Sequence, residues 1–82
     1  MADIQVMFRS PEDMTEFIRA MAGVDADVDI KHGSIDFDAK SAEGIYTLPL
    51  NKKLICTVHE SKEETLRTAI SRFIVWPVLK ST

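Results

Sequence analysis

Eighty-two residues, 45 % of them hydrophobic and 28 % charged, suffice for one domain (1–82), near the lower size at which a core stands without staples. The lone cysteine, Cys56, excludes an internal disulfide and fits a reducing compartment, and no Cys/His cluster has zinc-ligand spacing, so neither metal nor cofactor is expected. A net charge of −3 argues against a nucleic-acid surface, and no apolar run approaches the roughly 20 residues that a bilayer span needs. The opening MADIQVMFRSPED has neither the basic nor the apolar region of a signal peptide, which makes the cytoplasm the expected compartment.

Ile4, Val6 and Phe8 alternate with Gln5 and Met7, the period of a half-buried strand. Ser10-Pro11 then places a cap residue before a proline at the first helical position, and Glu12 and Asp13 fall where the helix dipole favours acids. Met14, Phe17, Ile18 and Met21 recur at helical spacing, and Gly23 is positioned to end the helix. Val28 and Ile30, then Ile35 and Phe37, alternate with charged residues on either side of His32-Gly33, which predicts a β-hairpin with a two-residue His-Gly turn. A short helix is expected from Ser41 to about Thr47, before Pro49.

Leu54, Cys56 and Val58 alternate as a fourth strand, with Cys56 on the inward side as a small buried hydrophobe. Ser61 and Glu64 have the spacing of a capping box, and Leu66, Ala69, Ile70 and Phe73 give the last helix its apolar stripe up to Trp76-Pro77. Trp76-Pro77-Val78-Leu79 is apolar for a terminus and is expected to pack back on the domain. The order β-α-β-β-α-β-α, with one apolar face per strand and one stripe per long helix, predicts an α+β fold of two layers. Helices cover one face of an antiparallel sheet, and the other face meets water.

This element order, with Asp38-Ala39-Lys40-Ser41, Gly44 and Leu48 between the third and fourth strands, resembles the histidine-containing phosphocarrier (HPr) family of the bacterial sugar phosphotransferase system. The element pattern spans nearly the whole chain; the Ala-Lys-Ser-x-x-Gly-x-x-x-Leu match spans about ten residues. The resemblance implies a two-layer open-faced β-sandwich whose four-stranded sheet has the order 1-4-2-3. In the family a histidine at the start of the first helix carries phosphate between enzymes. Here the segment reads Met7-Phe8-Arg9-Ser10-Pro11-Glu12: counting back from Phe17 puts Ser10 at the histidine's place, and aligning on the proline puts Phe8 there. Neither is an imidazole. A serine phosphate is a stable ester where phosphohistidine is a readily passed phosphoramidate, so Ser10 reads as a helix cap.

Ser41 matches the family's regulatory serine, which in relatives is phosphorylated by an ATP-dependent HPr kinase. Its plain structural role is to cap the short helix, and a phosphate there would meet favourable amides with Lys40 beside it. Relatives place two apolar docking residues after the serine; this chain has Ala42 and Glu43, and Glu43 would repel a phosphate. The expected function is thus an HPr-like regulatory module that binds protein partners of the phosphotransferase system or of transcriptional control. It lacks the phosphocarrier histidine and is not an enzyme. The candidate partner-binding residues are Arg9, Ser10, Lys40, Ala42, Glu43 and Gly44, and the candidate phosphorylation site is Ser41. Two other readings stay open: a phosphocarrier with another acceptor such as His32, and an unrelated interaction module sharing the fold.

Two features stand outside the resemblance. Lys52-Lys53 precedes the last strand as a solvated loop or a small basic docking spot. A His-Gly turn would also set Asp29 opposite Asp36 and Asp27 opposite Asp38, an acidic ladder that Lys31, Lys53 or a loosely held divalent cation would relieve.

Overall fold

The computed structural model describes residues 1–75, so the expectation for Trp76-Pro77-Val78-Leu79 lies outside the described residues. Alternation of apolar and polar residues produces four strands: β1 (Ala2–Val6), β2 (Val28–His32), β3 (Ile35–Asp38) and β4 (Leu54–Val58). They form one antiparallel sheet in the order β1-β4-β2-β3, as expected. Helices α1 (Pro11–Ala22), α2 (Ala42–Tyr46) and α3 (Glu63–Ala69) complete an open α+β sandwich. Among the described residues no helix is long and apolar enough to cross a membrane.

The core lies between the layers. Ile4 and Val6 from β1, Val28 and Ile30 from β2, and Leu54, Cys56 and Val58 from β4 form one buried cluster with Met14, Phe17 and Met21 of α1 and with Leu66 and Ile70. Phe8, Phe17 and Phe73 pack edge to face with ring centroids 5.0–6.0 Å apart, a geometry that aromatic quadrupoles favour. This cluster fixes the entry to α1 against the chain that follows α3. The opposite sheet face carries Asp3, Gln5, Ile55, Thr57, Asp29, Lys31, Asp36 and Asp38. It is polar apart from a half-buried Ile55.

The hairpin differs from the sequence expectation. The turn is Gly33-Ser34, with His32 paired to Ile35, Lys31 to Asp36, Ile30 to Phe37 and Asp29 to Asp38. Gly33 has φ +62° and Ser34 has no positive φ, the pattern of a turn that needs a left-handed residue only at its first central position. A His-Gly turn of the favoured mirror type would put His32 in that region as well, where a Cβ is strained. The acidic ladder therefore shrinks: Asp27 precedes β2, Asp36 faces Lys31, and Asp29–Asp38 is the remaining like-charged pair.

The start and end of the last helix also differ. His59, not Ser61, supplies the cap: its Nδ1 accepts the Ser61 backbone N–H at 3.1 Å and opens a 3-10 turn over Glu60–Lys62. The capping-box spacing is present, but α3 begins at Glu63 with no side-chain cap. Helical hydrogen bonding stops at Ile70 and a second 3-10 turn, Ser71–Phe73, follows. Beyond it Ile74 pairs with Val6, Met7 N–H donates to the Phe73 carbonyl and Val75 N–H to the Gln5 carbonyl, so residues 73–75 cover the outer edge of β1. Gly23 ends α1 at φ −93°, within reach of any residue, so its conformational freedom is not what stops the helix.

Candidate functional site

Ser10 begins the site as local chemistry. Its extended backbone turns the chain into α1, and its hydroxyl accepts the Asp13 N–H at 3.2 Å. Asp13 returns the favour one residue earlier, its carboxylate accepting the Arg9 N–H at 2.9 Å and lying 3.7 Å from the Arg72 guanidinium. Two backbone donors at the helix entry are thus satisfied by side chains, and the Asp13 carboxylate lies in the first turn, where the helix dipole's positive end favours it. A phosphate arriving at Ser10 would meet that carboxylate. His32 sits two strands from β1 at the end of β2, and His59 caps the turn after β4; neither approaches the start of α1 through any hydrogen bond.

Ser41 caps α2 as its position suggested. Its hydroxyl accepts the Gly44 N–H at 3.3 Å, its carbonyl accepts the Ile45 N–H at 3.0 Å, and its own N–H donates to the Asp38 carbonyl at 2.9 Å. Lys40 follows another course than expected. Its ammonium donates to the Val24 carbonyl at 2.6 Å, which ties the loop before α2 to the loop after α1 and engages the charge away from the serine hydroxyl. Ala42 and Glu43 are exposed, whereas Gly44 is buried against the Phe37 ring and is a packing position.

The candidate residues form two groups. Lys40 lies against Val24 beyond the C-terminus of α1, while the Tyr46 hydroxyl meets the Thr15 hydroxyl at 2.7 Å near the N-terminus of α1. The helices are therefore antiparallel, and Ser41 lies toward the end of α1 remote from Arg9 and Ser10. The element that joins the start of α1 is the far end of α2, Tyr46, which is 50 % exposed. Asp13, which the sequence placed in the first turn of α1, shares this surface with Thr15, Tyr46 and Arg72, and these last three were not singled out by sequence. Ser-Pro-x-Asp is a readable signal for Asp13; the Thr15–Tyr46 bond joins residues 31 apart and has no local signature.

Asn51 adds a third segment. It holds φ +61° and donates its N–H to the Phe8 carbonyl at 2.7 Å, anchoring the Lys52-Lys53 loop beside the entry to α1. Asparagine tolerates this left-handed conformation better than most residues, so the chain turns here without a glycine. Cys56 is buried beneath the sheet, where desolvation pushes its thiol up to about 12, and it is unsuited to act as a nucleophile. Among the described residues no three His, Cys, Asp or Glu side chains are grouped so as to hold a metal ion. In comparison with known proteins, no protein-family model and no curated protein matches the chain.

Proposed function

We propose that the protein is an HPr-like regulatory module that acts by binding protein partners in the cytoplasm and has no phosphocarrier activity, with Ser41 as the point at which it is controlled. The support is the fold, with its 1-4-2-3 strand order, together with the serine-capped start of α2 at the Ala-Lys-Ser-x-x-Gly position. One observation carries the loss of phosphotransfer. At the helix entry where the family's histidine works, Ser10 is engaged as a cap and Asp13 supplies a carboxylate. A hydroxyl ester would not pass its phosphate on, and an adjacent carboxylate opposes the incoming anion.

The test is incubation with phosphoenolpyruvate and the general phosphotransfer enzyme, beside an ordinary HPr as positive control. The protein is expected to gain no phosphate while the control is labelled. An acid-labile, base-stable phosphate on His32 or His59 would restore a carrier and overturn the regulatory reading.

A further inference from the structure

We infer that the outer edge of β3 is a docking site for an extended segment of a protein partner in which basic and apolar residues alternate, added to the sheet as a further strand. The site goes beyond the regulatory reading, since it uses neither the Ser41 hydroxyl nor the entry to α1. The two edges of the sheet are finished differently. Along β1, Val6 pairs with Ile74, and the Phe73 and Gln5 carbonyls accept the Met7 and Val75 N–H groups. β3 is the opposite edge, and among the described residues no segment pairs with its outer side.

The register fixes which backbone groups point outward. A two-residue turn closes on a hydrogen-bonded pair, here His32 and Ile35, and such pairs recur at every second residue. Ile30 and Phe37 form the next, and the 2.8 Å bond from the Ala39 N–H to the Val28 carbonyl continues the same phase. Asp36 and Asp38 therefore turn their N–H and carbonyl groups away from β2. The Asp38 carbonyl is taken by the Ser41 N–H at 2.9 Å. The Asp36 N–H and carbonyl and the Asp38 N–H remain. They suffice for an exchanged pair of bonds with an antiparallel strand and a further bond beside it.

The side chains along this edge specify the occupant. Ile35 is 51 % exposed and lies with half-buried Phe37 on the helix side, while Asp36 and Asp38 lie on the open face beside Asp29. An incoming residue opposite Asp36 shares the open face, where it meets carboxylates, and its chain neighbours meet Ile35 and Phe37. A basic residue at the first position and apolar residues on either side satisfy both faces. Lys31 is the one lysine or arginine of β2 and β3, against Asp29, Asp36 and Asp38. Among the described residues no ion pair engages Asp36. A second copy of this chain is a poor occupant. Antiparallel pairing along the whole of β3 would set Asp36 opposite Asp36 or Asp38 of the other copy, a like-charged contact. The aspartates thus reject self-pairing and acidic strands and leave a basic one favoured.

The test is a titration of the isotope-labelled protein with end-blocked peptides, followed through backbone amide resonances and amide hydrogen exchange. The probes are a short peptide alternating Lys and Val, its Glu-Val counterpart, and two N-methylated forms of the Lys-Val peptide. The Lys-Val peptide is expected to shift the amides of 35–38 and to slow exchange at Asp36 and Asp38, while the Glu-Val peptide does neither. Methylation of the lysine backbone nitrogens, which face β3 in this register, should abolish binding. Methylation of the valine nitrogens, which face away, should preserve it. Asp36→Asn should weaken the Lys-Val peptide about fivefold, the effect of one exposed pair worth up to about 1 kcal/mol. Asp36→Lys should instead prefer the Glu-Val peptide. Absence of shifts at 35–38, equal binding of the two N-methylated peptides, equal binding of the Glu-Val peptide, or self-association through 35–38 without peptide would each overturn the assignment. None of these readouts involves phosphate transfer, so this titration and the phosphoenolpyruvate assay can fail separately.

Discussion

Gly44 of α2 and Phe37 of β3 are in direct contact: a Cβ on Gly44 would stand 2.7 Å from Phe37 Cδ1 and 3.2 Å from its Cβ. Atoms this near the Phe37 backbone cannot swing away as a side-chain tip would. Alanine normally gains about 1 kcal/mol over glycine in a helix. Here overpacking, typically 1–3 kcal/mol, should outweigh that gain. Gly44→Ala is therefore expected to lower stability, and to lower it less in a Phe37→Ala background, which removes Cγ and Cδ1 and leaves only the Cβ at 3.2 Å. Denaturation midpoints of the four proteins in this cycle give the answer. Equal effects in both backgrounds would refute the contact as the reason for glycine.

The hairpin register makes a second test by contrast. Asp29 faces Asp38, and Asp36 faces Lys31. Asp29→Asn should be neutral or stabilising by a few tenths of a kcal/mol, whereas Asp36→Asn should cost a similar amount, because like charges directly opposite repel and unlike charges attract. With a His-Gly turn the two variants would behave alike. Urea unfolding at neutral pH separates these cases.

The contrast also shows what the sequence could and could not convey. The periods of β1, α1 and β4 were readable because they are local, and so were the serine caps of α1 and α2. The hairpin turn was misplaced by one residue, which moves every pair by two and leaves each side chain on its original face. Hydrophobic alternation is blind to such a slip. Only the conformational demand on His32, and the fit of Phe37 between Ile30 and Gly44, distinguish the registers. At the candidate site, the cap at Ser41 was visible in the residues around it. The direction of Lys40, the partner of Tyr46 and the reach of Arg72 depend on contacts far apart in sequence, and no periodicity carries them.

The Met1 ammonium and Glu60 form an ion pair that fixes the start of β1 to the turn after β4. The hydrogen bond and charge of Glu60 raise the ammonium's pKa, and the same bond holds the Glu60 carboxyl below its ordinary range. The two shifts act at opposite ends of the pH scale. Glu60's contribution is complete above its unfolded value and is lost as pH falls through the lowered folded one. The ammonium's is complete below its unfolded value and is lost as pH rises through the raised folded one. Acetylation of the amino group should therefore lower the melting temperature only between the acidic and alkaline limbs, by a small amount that salt abolishes, since both groups are exposed. A loss that persists in high salt would mean that something other than the charges is involved.

Ser41 is bonded as a cap before any modification takes place, and its two possible roles make different demands. Ser41→Ala removes the acceptor for the Gly44 N–H and should cost about 0.5–2 kcal/mol. Ser41→Asp keeps an acceptor and places a negative charge at the helix start, so most of the stability should remain. The cap alone predicts unchanged partner binding by Ser41→Asp. A switch predicts altered binding, though a carboxylate supplies less charge than a phosphate. Incubation with an HPr kinase and ATP is the sharper measurement. One phosphate per chain, abolished by Ser41→Ala, would make the cap a switch despite Glu43 two residues on and a Lys40 ammonium that is bound to Val24. No incorporation, under conditions that modify an ordinary HPr, would trace the failure to those two residues and reduce Ser41 to the cap of α2. Glu43→Ala then distinguishes them: restored phosphorylation would identify repulsion by its carboxylate as the obstacle, and continued failure would point to the engaged lysine.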